Sequence, residues 1–423
     1  MPDEGPHTTC PPRAIGDPPR RFDPLAPGFR EDPYRHYSHF RRNDPVHRGA
    51  APIPSRPDCV YLFRYRDVRR VLEDPDFGRG GARDEVPEGP SRSGPTRHLA
   101  GIVRRMLLFT DPPAHTRLRA LMTEAIDPEL LHGIVGEIPG IVDGLLDDLE
   151  AGDEPDVMAD FAVPLPVLVM ARLLGIPAGD LPRFKAWSRD IVSFADVRRQ
   201  EGVPDGAARA TRELADHLRE VLARRREDPG DDLLSQLVTA RLDGEGLTDG
   251  ELLANAVLLV CAGHETTVNL IGNGLHALLR HPDQLRRVRG SGRLDDRAVD
   301  ELLRFDSPVQ MTFRVARSDV EIGGVHVAAG DTVAAVLGAA NRDPRAFPGP
   351  DRLDLRRSGR PHLAFGGGPH HCLGSHLGKL EARIALGRLL RRFPDASLPD
   401  GWEPSWSDTV LFRGLRSLPV EPG

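Results

Sequence analysis

The residues with the clearest chemical potential form a glycine-rich loop that runs into a helix. The segment reads Phe365-Gly-Gly-Gly-Pro-His-His-Cys372-Leu-Gly374. Glycines permit a tight turn and a close approach of the backbone to a ligand. Backbone N–H groups and a helix N-terminus favour a thiolate. The pattern therefore predicts an activated or metal-ligating sulfur at Cys372, and the alternative is a glycine-rich turn around an inert cysteine.

Three chemistries are compatible with this loop. A zinc site would use His370, His371, Cys372 and His376, which one turn and one helix would hold in cramped geometry. A nucleophilic cysteine would need a base and an orienting group, which the adjacent histidines could mimic. A haem thiolate needs one protein sulfur, because the macrocycle supplies the equatorial ligands. The haem thiolate fits a solitary cysteine best.

A second candidate lies at Ala262-Gly263-His264-Glu265-Thr266-Thr267, inside a helix predicted over 248–280. A glycine in the middle of a helix costs about 1 kcal/mol relative to alanine. A threonine hydroxyl can bond back to the preceding turn and bend the helix. The segment can thus open a groove, and Glu265 with Thr266 could relay protons, unless they are only a surface acid and packed threonines. A zinc-protease H-E-x-x-H motif fails, because Val268 replaces the second histidine.

Together these two segments resemble the signatures of the cytochrome P450 superfamily. The loop matches F-G-x-G-x-H-x-C-x-G through Phe365, Gly366, Gly368, His370, Cys372 and Gly374. The helix matches the oxygen-binding A-G-x-E/D-T motif through Ala262, Gly263, Glu265 and Thr266. The resemblance implies that Cys372 is the proximal ligand of haem iron. It also implies that Glu265 and Thr266 are the catalytic pair that supports proton delivery.

The resemblance assigns further residues to the cofactor and to the fold. It implies that His115, Arg119, Arg314 and His370 reach the haem propionates, an arrangement that pairs cations with carboxylates. In the family, Glu301 and Arg304 form a structural E-x-x-R pair that a later arginine joins. Arg352 is placed to supply that arginine.

The implied activity is a haem-thiolate monooxygenase that uses haem b and dioxygen to hydroxylate or epoxidise a hydrophobic small molecule. Tailoring of a polyketide or macrolide, a terpenoid or a peptide natural product is the expected setting. Electrons would come from NAD(P)H through a ferredoxin and a ferredoxin reductase. The alternatives are a haem-thiolate oxidase that couples substrates without inserting oxygen and, more remotely, a zinc hydrolase. The expected substrate contacts are His98, Leu99, Ile102, Leu107, Leu108, Leu258, Cys261, Ala262, Val309, Met311 and Phe412.

The elements that must position these residues are mostly helical. Helical patterns dominate residues 114–280, with further helices over 297–305 and 373–392, whereas short strands are expected near Cys59 and over 309–340. The fold class is therefore mainly α with a small β component. The resemblance implies the cytochrome P450 fold, a triangular, helix-rich single domain that encloses haem.

Composition limits the remaining classes. The chain has 423 residues and a net charge of -7, which argues against broad nucleic-acid binding. No apolar stretch is long enough to predict a membrane span or a signal peptide. We expect a cytoplasmic, monomeric protein with a flexible lead-in over 1–23 and one domain over 24–423. The four cysteines are scattered and have no C-x-x-C spacing.

Overall fold

Helices form most of this protein, as the sequence predicts. The computed structural model describes residues 21–52, 58–80, 101–192, 205–291 and 293–421. Within these ranges, no helix is both long and apolar enough to cross a membrane. The α-helices are α1 (Pro33–Asn43), α2 (Tyr65–Glu73), α3 (Ala114–Ala125), α4 (Pro128–Ala151), α5 (Pro164–Leu173), α6 (Leu181–Val192), α7 (Asp205–Glu227), α8 (Leu233–Thr239), α9 (Asp249–Ala262), α10 (Glu265–Leu279), α11 (Pro282–Ser291), α12 (Asp296–Phe305), α13 (Leu337–Ala340) and α14 (Ser375–Arg392).

A small mixed sheet joins the N-terminal part of the chain to residues 312–335. Its strands run in the order β1-β2-β7-β4-β3, with β2 and β7 parallel and the other neighbours antiparallel. The central strand β7 is buried along its whole length, which suits its small and branched apolar residues. The strands are β1 (Val46–Ala50), β2 (Asp58–Leu62), β3 (Phe77–Gly78), β4 (Thr312–Ala316), β5 (Val320–Ile322), β6 (Val325–Val327) and β7 (Thr332–Ala335), of which β5 and β6 form a separate hairpin.

The helix predicted over 248–280 is two helices, α9 and α10. Thr248 and Glu251 form the predicted capping box at the start of α9, because each side chain bonds the other residue's backbone N–H. The chain leaves regular helix at Gly263 and His264 before α10 begins. The prediction of one continuous helix is wrong for this reason, whereas the predicted local opening at Gly263 is present.

The apolar core extends from the helices to the C-terminal segment, and a separate aromatic cluster covers the N-terminal side of the sheet. Phe22, which the sequence analysis assigned to the flexible lead-in, is 2% exposed in that cluster. Its ring contacts the rings of Phe29, Phe40 and Tyr61. The packed part of the chain therefore begins no later than Phe22, and residues 1–20 of the lead-in lie outside the described ranges.

The Glu301–Arg304 pair lies in the interior, with Arg304 only 2% exposed. The carboxylate of Glu301 accepts hydrogen bonds of 2.7 and 2.8 Å from Arg304. The third arginine is Arg357, whose Nε lies 3.0 Å from Glu301 Oε2. The prediction of Arg352 is wrong, because Arg352 is exposed and contributes its backbone carbonyl to both arginines.

Candidate functional site

The loop that carries Cys372 closes on itself and ends at α14. The backbone N–H of Cys372 donates to the carbonyl of Phe365 over 3.0 Å, and the N–H of His371 donates to the carbonyl of Gly368. Gly374 is the residue that precedes the first turn of α14. The sulfur therefore stands where a tight turn meets a helix N-terminus, as the sequence predicts.

Two glycines make this turn sterically possible. Gly366 has a φ of 73° and Gly368 has a φ of 62°, a region that side chains with a Cβ rarely adopt. A Cβ on Gly368 would lie 2.4 Å from the backbone oxygen of Leu72 in α2. Only glycine at this position lets the loop lie directly on α2.

Neighbouring elements fix the loop from outside. Arg119 in α3 donates to the carbonyl of His371 over 2.7 Å. The backbone N–H of Leu363 donates to the side-chain oxygen of the buried Asn341 over 2.7 Å. These bonds hold both ends of the loop in register with the rest of the protein.

A histidine that the sequence analysis did not select also supports the loop. His362 Nδ1 accepts from the backbone N–H of Ala364 over 3.1 Å, and His362 Nε2 lies 3.2 Å from Asp300 in α12. Lys379 of α14 lies 2.8 Å from the same carboxylate. Hydrogen bonds from His362 and Lys379 lower the pKa of Asp300 against the opposing effect of burial. A histidine ten residues before the cysteine was the available signal.

Surrounding protein atoms raise the pKa of the Cys372 thiol, while the N–H of Gly374 and the charge of Arg119 lower it. Cys372 is nevertheless exposed to solvent. An accessible sulfur enclosed by protein on most sides suits a metal ligand, because coordination to a cation removes the thiol proton. Among the described residues, no group of three or more His, Cys, Asp and Glu is arranged to hold a metal, so the zinc alternative gains no support.

The break between α9 and α10 has the hydroxyl geometry that the sequence predicts. Thr266 Oγ1 donates to the carbonyl of Ala262 over 3.3 Å, and Thr267 Oγ1 donates to the carbonyl of Gly263 over 3.4 Å. A Cβ on Gly263 would lie 2.7 Å from the sulfur of Met170 in α5. The absence of a side chain at Gly263 therefore lets α5 pack closely against the break, whereas the backbone of Gly263 itself is in the ordinary helical region.

Glu265 opens α10 beside these hydroxyls. Burial raises the pKa of its carboxyl to about 7. A carboxyl with this pKa exists in both protonation states near neutral pH, which suits proton transfer.

The helices of the two segments pack against each other. α10 and α14 are neighbours, and a Cβ on Gly378 of α14 would lie 3.5 Å from Thr267 Oγ1. Ala262 is exposed although it ends a helix with many buried residues, and Cys372 is exposed at the start of α14. The fold therefore brings the acid, the alcohol and the sulfur to neighbouring elements.

Basic side chains from three distant parts of the sequence converge beside the loop. His115 lies on α3, Arg314 lies on β4, and His370 lies in the loop. The ring centres of His115 and His370 are 4.1 Å apart. Arg79, which follows β3, joins this group and was missed because an isolated arginine in an arginine-rich chain gives no signal. We call Arg79, His115, Arg119, Arg314 and His370 the cation cluster.

The negative charge of Asp111 acts on Arg79, His115 and Arg314 of the cation cluster but only partly offsets the effect of their burial on the pKa values. Burial lowers the pKa of Arg314 to about 10, and burial with the neighbouring cations lowers the pKa of His370 to about 2. Nε of Arg79 and Nε2 of His115 are buried without a hydrogen-bond partner among the described residues. Buried cations of one sign are unfavourable unless an anion pairs with them. The two carboxylates of a haem fit this requirement, so the residues present are suited to the group that the sequence resemblance implies.

Apart from Ala262, the expected substrate contacts divide into four groups. His98 and Leu99 lie outside the described residues. Met311 is 1% exposed in the aromatic cluster with Phe22, so it belongs to the core. Leu107 and Ile102 are buried, Leu108 is exposed, and Leu258 and Cys261 are half-buried on α9. Val309 and Phe412 pair in an isolated β-bridge, which joins two of the predicted segments.

Comparison with known proteins assigns the class. The protein-family model for "Cytochrome P450" matches residues 203–290 and 294–410. The chain is 40% identical to cytochrome P450 107B1 of Saccharopolyspora erythraea over 93% of this chain and 96% of that protein. It is also 40% identical to the cytochrome P450 monooxygenase PikC of Streptomyces venezuelae, over 94% of this chain and 92% of that protein.

Solved structures agree with this assignment. The cytochrome P450 PksS of the Bacillus subtilis bacillaene polyketide synthase matches with a TM-score of 0.85 and 36% identity, over 95% of this chain and all of that chain. The protein is thus an oxidoreductase of the monooxygenase class. It belongs to the cytochrome P450 family, whose members hold haem iron and use dioxygen.

Proposed function

We propose that this cytochrome P450 hydroxylates or epoxidises a hydrophobic small molecule in the tailoring of a natural product. One observation carries the proposal: the accessible Cys372 and the Glu265–Thr266 pair lie at the ends of helices, α14 and α10, that pack together. The name of one similar protein, "Polyketide biosynthesis cytochrome P450 PksS", supports a setting in polyketide tailoring.

In this proposal Cys372 ligates the haem iron, and the cation cluster holds the haem carboxylates. Phe365 and Gly366 shape the loop beside the sulfur, and Gly374 starts the helix that follows it. Haem, when bound, supplies an iron centre that activates dioxygen. In the described part of the chain, the proposed substrate space is bordered by Leu107, Leu258, Cys261, Val309 and Phe412, a largely apolar set that suits an apolar ligand.

The catalytic pair would move protons in two linked steps. The carboxyl of Glu265, with its pKa near 7, takes up a proton from solvent and gives it to the neighbouring hydroxyl. The Thr266 hydroxyl is held by a 3.3 Å bond to Ala262, so it can turn from that carbonyl and donate elsewhere. Ala262 and Gly263 leave room beside this hydroxyl, because neither carries a large side chain.

The first test is the absorption spectrum of the reduced protein treated with carbon monoxide. The proposal predicts the red-shifted Soret band of thiolate ligation. A spectrum without haem, or one typical of histidine ligation, would refute it. A panel of polyketides, terpenoids and peptides is then screened for a substrate-induced spin shift. Products that lack an oxygen atom from ¹⁸O₂ would favour the coupling oxidase over the monooxygenase.

The electron source in this proposal is a ferredoxin that receives electrons from NAD(P)H through a ferredoxin reductase. A surface hollow on α2 supports this choice, because it is lined by Tyr65 with Arg66, Arg69, Arg70 and Arg360 and with the acids Glu73 and Asp74. α2 is also the helix on which the cysteine loop rests at Gly368. An excess of arginine next to the sulfur suits an acidic electron donor.

Neutralising this hollow tests the partner. For the double variant Arg66→Gln with Arg360→Gln, we expect the KM for an acidic ferredoxin to rise about 5- to 10-fold at low salt, with a weaker dependence on ionic strength. Arg172→Gln, an exposed arginine of α5 paired with Glu137, is the matched control and should leave KM unchanged. Equal effects of both changes would exclude the α2 hollow as the docking surface.

The proposal also places the enzyme in the cytoplasm, as a monomer with one domain, which extends the expected range 24–423 to include the packed Phe22. Among the described residues, Cys261 and Cys372 are free thiols, which suits a reducing compartment.

A further inference from the structure

Asn255 is a polar residue buried inside the first half of the broken helix. Its side chain is 0% exposed, and it lies on α9 between the capping box at Thr248 and the break at Gly263. Burial of a side-chain amide is unfavourable unless its carbonyl oxygen and its N–H groups are bonded. The partners of this amide therefore indicate what the residue is for.

Two of the three hydrogen bonds of Asn255 go to one short segment of the chain. The backbone N–H of Leu107 donates to Asn255 Oδ1 over 2.8 Å. Asn255 Nδ2 donates to the carbonyl of Arg105 over 3.2 Å and to the carbonyl of Glu251 over 2.8 Å. A neutral side chain that accepts and donates in one plane can bind a backbone N–H and a backbone carbonyl together, as a neighbouring strand would.

Residues 101–103 of the bound segment 101–110 are helical, and the remainder consists of turns and one turn of 3₁₀-helix at Leu107–Phe109. The backbone hydrogen bonds of residues 102–110 join residues three apart within the segment itself. The segment continues through Asp111 into α3, which begins at Ala114 and carries His115 and Arg119 of the cation cluster. The hydrogen bonds of Asn255 to Arg105 and Leu107 therefore fix the chain between two proposed sites. One is the substrate space beside Leu107, and the other is the cation cluster that would hold the haem carboxylates.

Helical geometry places this tie on the face of α9 that leads to the acid–alcohol pair. Residues 255, 258 and 262 recur at spacings of three and four, so Asn255, Leu258 and Ala262 share one stripe of the helix. Seven residues of helix separate Asn255 from Ala262, a rise of about 10 Å. The segment held by Asn255 thus borders the same stripe as Leu258.

We propose that Asn255 is a positioning residue that fixes segment 101–110 against α9 and so sets the width of the substrate space between Leu107 and Leu258. The inference rests on the proposed function for the identity of that space. The hydrogen bonds of Asn255 themselves involve only protein atoms and do not depend on that identity. Loss of the amide leaves the buried N–H of Leu107 and the partly buried carbonyl of Arg105 without their partner, and the segment then moves away from α9.

Hydrogen exchange of the full-length protein tests the tie directly. In Asn255→Ala we expect the amide protons of residues 101–110 to exchange at least 10-fold faster than in the parent protein. Asn255→Asp retains the acceptor for Leu107 and loses the donor for Arg105, so its exchange should be intermediate. This second variant also supplies a readout if Asn255→Ala is poorly folded.

The matched control is Asn273→Ala. Asn273 is also a buried asparagine of the broken helix, and its Nδ2 donates to the carbonyl of Arg413 over 2.9 Å, far from segment 101–110. We expect its exchange in residues 101–110 to match the parent. Unchanged exchange in Asn255→Ala, or an equal increase in both alanine variants, would overturn the inference.

Azole titrations of the haem-loaded protein test the consequence for the substrate space. The probes are imidazole and the larger 4-phenylimidazole, each followed by the spectral shift on iron binding. In Asn255→Ala we expect the dissociation constant of 4-phenylimidazole to change at least 5-fold and that of imidazole to change less than 2-fold. Equal changes for both probes would refute an effect on width.

These measurements separate the inference from the proposed function. A parent protein without a thiolate spectrum would refute the proposed function, while hydrogen exchange would still decide whether Asn255 holds the segment. A parent protein with that spectrum but with unchanged exchange in Asn255→Ala would refute the inference alone.

Discussion

The cysteine loop and the helix break lie on packed helices, yet they are held in opposite ways. The loop is fixed from outside by Arg119, by Asn341 and by the surface of α2. The hydroxyls of Thr266 and Thr267 donate, in the described structure, to the carbonyls of Ala262 and Gly263 at the helix break, four residues earlier, over 3.3 and 3.4 Å. The proposed iron ligand thus lies in a loop that other elements hold, whereas the hydroxyl that we propose for proton transfer keeps the freedom to turn.

The largest expected effect is at the cysteine loop, which other elements hold in place. Cys372→Ser should abolish the thiolate spectrum and all turnover, because a serine hydroxyl is not ionised at neutral pH and is a poor ligand for this purpose. The spectrum of the reduced, carbon-monoxide-treated protein is the measurement. Cys261→Ser, a half-buried thiol on α9, is the control and should retain the thiolate spectrum. A thiolate spectrum in Cys372→Ser would show that Cys372 is not the ligand of the iron, so that the contrast between the two regions would no longer hold.

The second effect concerns the helix break, where the threonine hydroxyls can turn. Glu265→Gln should lower turnover about 100-fold, the usual scale for loss of a general acid or base. The carboxyl pKa of Glu265 is raised to about 7, so the protonated acid is present below that pH and disappears above it. Turnover of the parent should therefore fall as the pH rises through 7, and this inflection should be absent in Glu265→Gln. Glu265→Asp should restore part of the rate and an inflection.

The same pKa has a consequence for stability. An unfolded glutamate ionises near pH 4.3, so between about pH 4 and 7 the folded protein binds more protons than the unfolded chain. As the pH rises from about 4 to 7, the free energy of unfolding of the parent should therefore decrease. The decrease should be smaller in Glu265→Gln. Denaturant unfolding at pH 5.5 and pH 8 measures the difference. A steeper decrease in the variant would contradict the raised pKa.

A smaller effect is expected where the loop rests on α2. Gly368→Ala should cost about 2 to 3 kcal/mol, because alanine is strained at a φ of 62° and its Cβ would meet the oxygen of Leu72. Thermal unfolding measures the loss. Gly387→Ala in α14 has nothing within 4 Å of its Cβ and should be neutral or stabilising. If the two variants were equally stable, α2 would not restrain the loop.

The smallest effect is expected in the support behind the loop. Arg357→Ala should destabilise the protein by about 1 to 2 kcal/mol, because Glu301 keeps Arg304 and loses one bonded cation. The exposed Arg352, which the sequence analysis favoured, should tolerate alanine with little change. The opposite order of the two losses in chemical denaturation would restore the sequence-based assignment.

The sequence predicts these two regions unequally well. Local signals were sufficient for the cysteine loop and for the capping box of α9, because glycines, a helix start and reciprocal side-chain bonds act over a few residues. Arg79 and Arg357 could not be chosen, because one arginine among 54 acquires a role only when distant segments fold beside it. The interruption after Ala262 was only partly predictable from the sequence. Gly263 indicates a weak point in the helix, but the packing of Met170 of α5 against Gly263 becomes visible only in the structure.

The cation cluster also has a consequence for how the protein is maintained in a cell. Without the haem carboxylates, the buried guanidinium groups of Arg79 and Arg314 repel each other with only Asp111 to offset them, and the folded chain is less stable by that repulsion. A dianionic ligand that binds only the folded state shifts the folding equilibrium by mass action. Cofactor supply during synthesis should therefore set the yield of intact protein, and a shortage should appear as faster proteolysis before it appears as lower catalytic rate.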